Sequence, residues 1–215
     1  MTTGDDDHVP EGDENPLEAI FRAMKVKREN YKKDVLNSRS FQDGLRYLEG
    51  IGSDLLAAQS DIRLQGTRYS AAEDYLMFRF APHLSEAVLA ITMSAKEGLQ
   101  NAARREQRFL LEAAVKLSSR DFHADAKSFD ERLAGLGDRS KRFEDHVTEL
   151  RYFDEFEKPG EANAVILSLY GDLSLYVHAA VPQFQSAMSR ERKGESAGME
   201  SVSTLNRFNS LAFQV

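Results

Sequence analysis

Five side chains stand out by type and spacing in two apolar stretches of the chain. In "LSLYGDLSLYVHAAVP", Leu167 to Pro182, a helix would place Tyr170, Ser174 and His178 at i, i+4 and i+8, one polar stripe beside Leu169, Leu173, Val177 and Ala180. In "RREQRFLLEAAVKLSSRD", Arg108 and Glu112 stand four residues apart beside Phe109 and Leu111. If those two helices pack together, Arg108, Glu112, Tyr170, Ser174 and His178 meet in one buried polar network. Buried charges persist only when paired and hydrogen-bonded, so such a network either sets helix register or lines a site. For His178 a structural role, bonded to Glu112 or a backbone carbonyl, ranks above a ligand-facing role, and both rank above a catalytic acid or base.

Two other groups could do chemistry. In "RDFHAD", Asp121, His123 and Asp125 would converge on a metal if the stretch is a loop. On a helix, successive members point about 160° apart, which rules out a shared ion. A capping loop between helices is the favoured reading, and no metal or cofactor is expected. In "RSKRFEDH", Arg139 precedes His146 by seven residues, two helical turns, which puts both on one face. Metal-independent ribonucleases use such a pair, although a solvated charged face gives the same pattern.

Absent patterns narrow the chemistry further. The chain has no Gly-rich phosphate loop, GxSxG, HExxH or di-iron ExxH pair. With no cysteine, disulfides, thiolate metal sites and cysteine nucleophiles are excluded.

These residues need helices to hold them, and the chain reads as helical nearly throughout. Residues 1–15 carry six acidic and no basic residues, with Val9 the one aliphatic side chain, and are expected to be a disordered acidic tail. Without those six charges, the net charge of −7 falls to −1, so bulk charge gives no reason to expect nucleic acid. Asn15-Pro16 is a helix-start signal. Leu17, Ile20, Phe21, Met24 and Tyr31 follow as one stripe among six basic residues, Arg22 to Lys33. Ser40 is positioned to cap a second helix, and Gly50 and Gly52 suggest close helix packing or a kink, with a break the simpler reading. A kink or short break is expected at Ala81, ahead of Pro82. Phe109, Leu110, Ala113, Ala114 and Leu117 predict a broad apolar face on the central helix. Shorter helices are expected before Gly137 and before Pro159. "SRERKGESAGMES" reads as a linker to an amphipathic C-terminal helix with Val202, Leu205, Phe208 and Ala212 on one face, loosely attached.

The expectation is an all-α, single-domain bundle of six to eight helices over residues 16–190, with a flexible linker and helix over 191–215. No run is long enough to span a bilayer, so a soluble, cytoplasmic protein without membrane association is expected.

"RFLLEAAVKL", followed some sixty residues later by "LYGDLSLYVH", resembles helical proteins of the broad HEPN and abortive-infection type. The matched positions are Arg108, Leu111 and Glu112, then Tyr170, Leu173, Ser174, Val177 and His178. The Arg139–His146 spacing is also similar to that of HEPN ribonucleases. The resemblance implies a helical fold and a defence or stress context. No Arg stands in the segment before His178, where the active members carry one. The leading functional reading is therefore a non-enzymatic interaction or regulatory protein with a protein partner or a second copy of itself. The alternative is a HEPN-like ribonuclease or toxin working on RNA through His178 or through Arg139 and His146. A small apolar ligand site between Phe-rich helices is a third reading, although such faces are more often core.

Overall fold

The computed structural model describes residues 15–66, 68, 72–122, 128–137, 140–150, 159–175, 177, 181–192 and 198–212. Helices α1 (Pro16–Tyr31), α2 (Arg39–Gly66), α3 (Leu76–Lys96) and α4 (Gln100–Asp121) come first. The short α5 (Phe129–Leu136) and α6 (Phe143–Thr148) follow, then α7 (Pro159–Ser174), α8 (Val181–Arg192) and α9 (Val202–Ala212). The fold is all-α, and the described residues contain no strand. None of their helices is long and apolar enough to cross a membrane.

Helix starts follow local chemistry. The Asn15 side chain accepts from Leu17 N at 3.0 Å and Pro16 occupies the first helical position. α5 starts with a reciprocal capping box between Ser128 and Glu131. α2 departs from expectation, because Ser38 rather than Ser40 supplies the cap, accepting from Phe41 N at 3.3 Å. The break expected at Gly50 and Gly52 is also absent, and α2 runs unbroken. Gly52 is buried against α3, where an added Cβ would lie 3.3 Å from Thr92 Oγ1. The glycine there permits close helix approach. α3 likewise continues through Pro82.

α3 ends in a Schellman motif. Gly98 takes φ 69°, Leu99 N donates to Ser94 O at 2.8 Å, and Gly98 N donates to Ala95 O at 2.9 Å. The chain reverses there, and α3 and α4 pack as a helical hairpin.

α4 is the axis of the molecule. Ala103 joins a core with Tyr31, Leu36, Phe41, Leu45, Leu48, Ile91, Leu205 and Phe208. Leu111 and Val115 join a second core with Phe143, Val147, Leu150, Leu169 and Leu173. Leu117 joins a third with Leu76 and Leu84. Because neighbours surround it, α4 buries Arg104, Gln107, Arg108 and Arg120 as well, while Phe109 of the expected apolar face stays half-exposed.

α9 corrects another expectation. Leu205 and Phe208 are both 1% exposed, and Asn206 reaches the Ser40 carbonyl at 3.2 Å, so this helix is part of the core rather than loosely attached.

Candidate functional site

Arg108 is the centre of the polar network. Its Nε donates to Ser174 Oγ at 2.9 Å and a terminal nitrogen bonds Glu112. The guanidinium carbon lies 3.4 Å from the Tyr170 ring centroid. Tyr170 stacks in turn on Phe143, with centroids 3.7 Å apart and planes 7° from parallel. Ser174 Oγ donates back to the Tyr170 carbonyl at 2.6 Å. Lys116, one turn beyond Glu112, bonds the second carboxylate oxygen.

The structure thus brings together Arg108, Glu112, Tyr170 and Ser174, joining α4 to α7 with Phe143 of α6 behind the tyrosine. α4 supplies Arg108, Glu112 and Lys116 because a spacing of four keeps them on one face. A planar guanidinium bonds along its edge and stacks on its face at once, which an ammonium cannot do. Burial works against ionisation of Glu112, but hydrogen bonds from Lys116 and Arg108 prevail and hold its carboxyl below the ordinary range. Burial and the Glu112 charge push the Tyr170 phenol up despite Arg108, so it stays neutral. Ser174 accepts from Arg108 and donates to a carbonyl, and among the described residues no base is placed to activate it as a nucleophile. The arrangement works as a clamp between helices.

His178 lies outside the described residues. The helix expected to carry it ends at Ser174, and Leu175 and Val177 are turn residues.

Of the Arg139–His146 pair, Arg139 lies outside the described residues; α6 starts at Phe143, after the non-helical Lys141 and Arg142. His146 is 3% exposed, with Nδ1 2.7 Å from Ser119 Oγ. Burial, and next the Arg120 charge, lower its pKa. A buried, neutral imidazole bonded to a core serine is part of the architecture.

Asp121 has a role the sequence reading missed. Its two carboxylate oxygens accept from Leu76 N at 2.7 Å and Met77 N at 2.8 Å. The end of α4 thereby caps the start of α3, where Tyr75 gives no side-chain cap. Arg132 of α5 completes the knot, with Nε 3.7 Å from Asp121 and a terminal nitrogen 3.0 Å from the Asp74 carbonyl. These bonds commit Asp121 to the fold. His123 and Asp125 lie outside the described residues, and no metal-ligand cluster occurs among those described.

The enclosed space between α2, α3 and α4, bordered by Leu48, Ile51 and Leu110, is about 30 Å³. That is room for a water molecule or two, not an organic ligand.

The surface feature of most interest is α1. Every residue from Asn15 to Lys27 is exposed, and the helix meets the body only near its end. There Tyr31 is buried, its hydroxyl donating to the Glu200 carbonyl at 3.0 Å, and Arg28 bonds the Glu97 and Gly198 carbonyls. At 100° per residue, Met24, Ile20, Phe21 and Leu17 lie on the same face as Tyr31. That face is core at one end of the helix and bare for the preceding turns, with Phe21 69% exposed and Leu17 61%. The sequence showed the stripe but not that its upper part has no cover, since a 3.6-residue period is the same on a core helix and an overhanging one.

No protein-family model, curated protein or solved structure gives a significant match to this chain, so its role has to be argued from its own geometry.

Proposed function

We propose that this chain is a non-enzymatic helical interaction protein whose docking element is α1. The observation that carries the reading is the stripe of Leu17, Ile20, Phe21 and Met24, exposed on a helix already formed and anchored at one end. An isolated 16-residue helix is marginal in water. Anchoring through Tyr31 and Arg28 lowers the ordering cost that a free helical segment would meet on binding. Amphipathic helices dock through residues at i, i+3, i+4 and i+7, which is the spacing of these four. The core around Tyr31 and the Arg28 bonds give the scaffold that holds α1 out.

Site-specific photo-crosslinking in cells tests this. A photoreactive residue at position 21 should give discrete adducts, and Ile20→Glu in the same chain should suppress them. The same residue at exposed position 53 on α2 is the control. Equal labelling at 21 and 53 would refute the reading. So would a large loss of thermal stability in Ile20→Glu, because exposed positions should tolerate it within about 0.5 kcal/mol.

A further inference from the structure

We infer that the groove between α3 and α4 receives α1 from a second copy of this chain. The inference rests on reading α1 as the docking element. The groove is about 470 Å³ in volume. Ala87 and Ala90 form its floor, Phe80 and Phe109 its apolar walls, and Glu86 and Glu106 supply its carboxylates. Phe109 is 50% exposed on the most buried helix of the molecule. His83 packs by Phe80, with centroids 5.8 Å apart, and its Nδ1 is 3.6 Å from Glu86. Small residues between two aromatic rings leave room for a protruding side chain such as Phe21, and the carboxylates suit a cationic helix.

α1 is that kind of ligand. Over its exposed turns, Pro16 to Lys27, it carries Arg22, Lys25 and Lys27 against Glu18, a net +2. Lys27 and Lys25 border the apolar stripe on either side. Rival occupants fit less well. Two α1 helices face to face would set +2 against +2. Residues 1–14 carry six carboxylates and no basic residue, so Glu86 and Glu106 repel them, and Val9 alone cannot cover the groove. Charge complementarity of this kind selects partner and register more than it adds affinity.

Each copy offers both a helix and a groove, so two copies that exchange α1 reciprocally close as a two-fold dimer, and one-way exchange continues into rings or open chains. Four apolar side chains cover less than a standard interface, which points to dissociation constants of roughly 10–100 μM.

Sedimentation of the full chain from about 1 to about 500 μM tests this, with average mass expected to rise above the monomer. Lys25→Glu/Lys27→Glu on α1 and Glu86→Lys/Glu106→Lys in the groove should each weaken association about tenfold or more. Mixing the two variants should restore it, because an acidic α1 then meets a basic groove and a basic α1 meets an acidic one. Circular dichroism melts on both variants check that they are folded. A chain monomeric throughout overturns the inference. A folded groove variant that associates like the parent also overturns it. A position-21 crosslink to a different protein would remove this inference while leaving α1 as a docking element. Equal labelling at positions 21 and 53 would remove both.

Discussion

Asp121→Ala should be among the most damaging single substitutions away from the apolar core. It removes the acceptor for the first two amides of α3, Leu76 N and Met77 N, and the carboxylate facing the buried Arg132 guanidinium. Loss of a helix cap costs about 1–2 kcal/mol, and orphaning one member of a buried ion pair costs up to about 3–5 kcal/mol. The two overlap at one carboxylate, and Arg132 keeps its bond to the Asp74 carbonyl, so the total should be about 3 kcal/mol. For 215 residues the unfolding entropy near the midpoint is about 0.45 kcal/mol/K, which converts that loss to a Tm drop of about 7 °C. Asp121→Asn is the informative control. Burial pushes the Asp121 carboxyl above its ordinary value although the Met77 and Leu76 amides and Arg132 pull it down, so the charge itself is expensive there. Asn keeps one acceptor oxygen without that charge and should lose about 1 kcal/mol. Urea denaturation at constant pH measures both. If Asp121→Ala costs under 1 kcal/mol, or Asn costs as much as Ala, the carboxylate is not the cap.

Three further predictions concern the helix scaffold. Arg108→Ala removes the Ser174 and Glu112 bonds and the Tyr170 stack and should cost about 2–3 kcal/mol in urea melts; Arg108→Lys should recover less than half, since an ammonium cannot bond and stack at once. His146 has a folded pKa below the usual value of about 6.5. Between those two pKa values the unfolded chain binds the extra proton, so stability should fall as pH drops from about 6.5, and His146→Gln should flatten that slope in denaturation series at pH 7.5 and 5.5. Gly98→Ala places a Cβ at φ 69°, 3.0 Å from the Tyr31 hydroxyl, and should lower Tm by about 4 °C, for a loss of about 2 kcal/mol.

Some features were legible because they are local. Asn15-Pro16 and the stop near Gly137 depend on neighbours within a few residues, and the helices begin and end accordingly. The spacing of Arg108 and Glu112, and of Tyr170 and Ser174, carried the clamp for the same reason, and only the packing of α4 on α7 had to be supposed. What failed was decided by distant partners. Gly52 reads as a breaker until α3 lies against it. Asp121 reads as part of a capping loop before the next helix until the start of α3, 45 residues earlier, turns out to need its oxygens. α4 reads as a helix with one broad apolar face, yet neighbours bury Arg104, Gln107 and Arg120 as well. The bare stripe of α1 is the reverse case, an apolar period with nothing packed over its first turns.

The placement of α9 ties folding to synthesis. The core that anchors α1 is completed by Leu205 and Phe208, more than 170 residues after Tyr31. As the ribosome makes the chain from the N-terminus, α2 and the α3–α4 hairpin emerge with this part of their surface uncovered. That surface is sealed only when residues 202–208 arrive. A chain cut short of Leu205 would keep its hairpin but leave Phe41, Leu45 and Leu48 open to solvent, the kind of exposure that proteases and chaperones recognise. Quality control could thus tell a finished chain from a truncated one by whether α9 is in place.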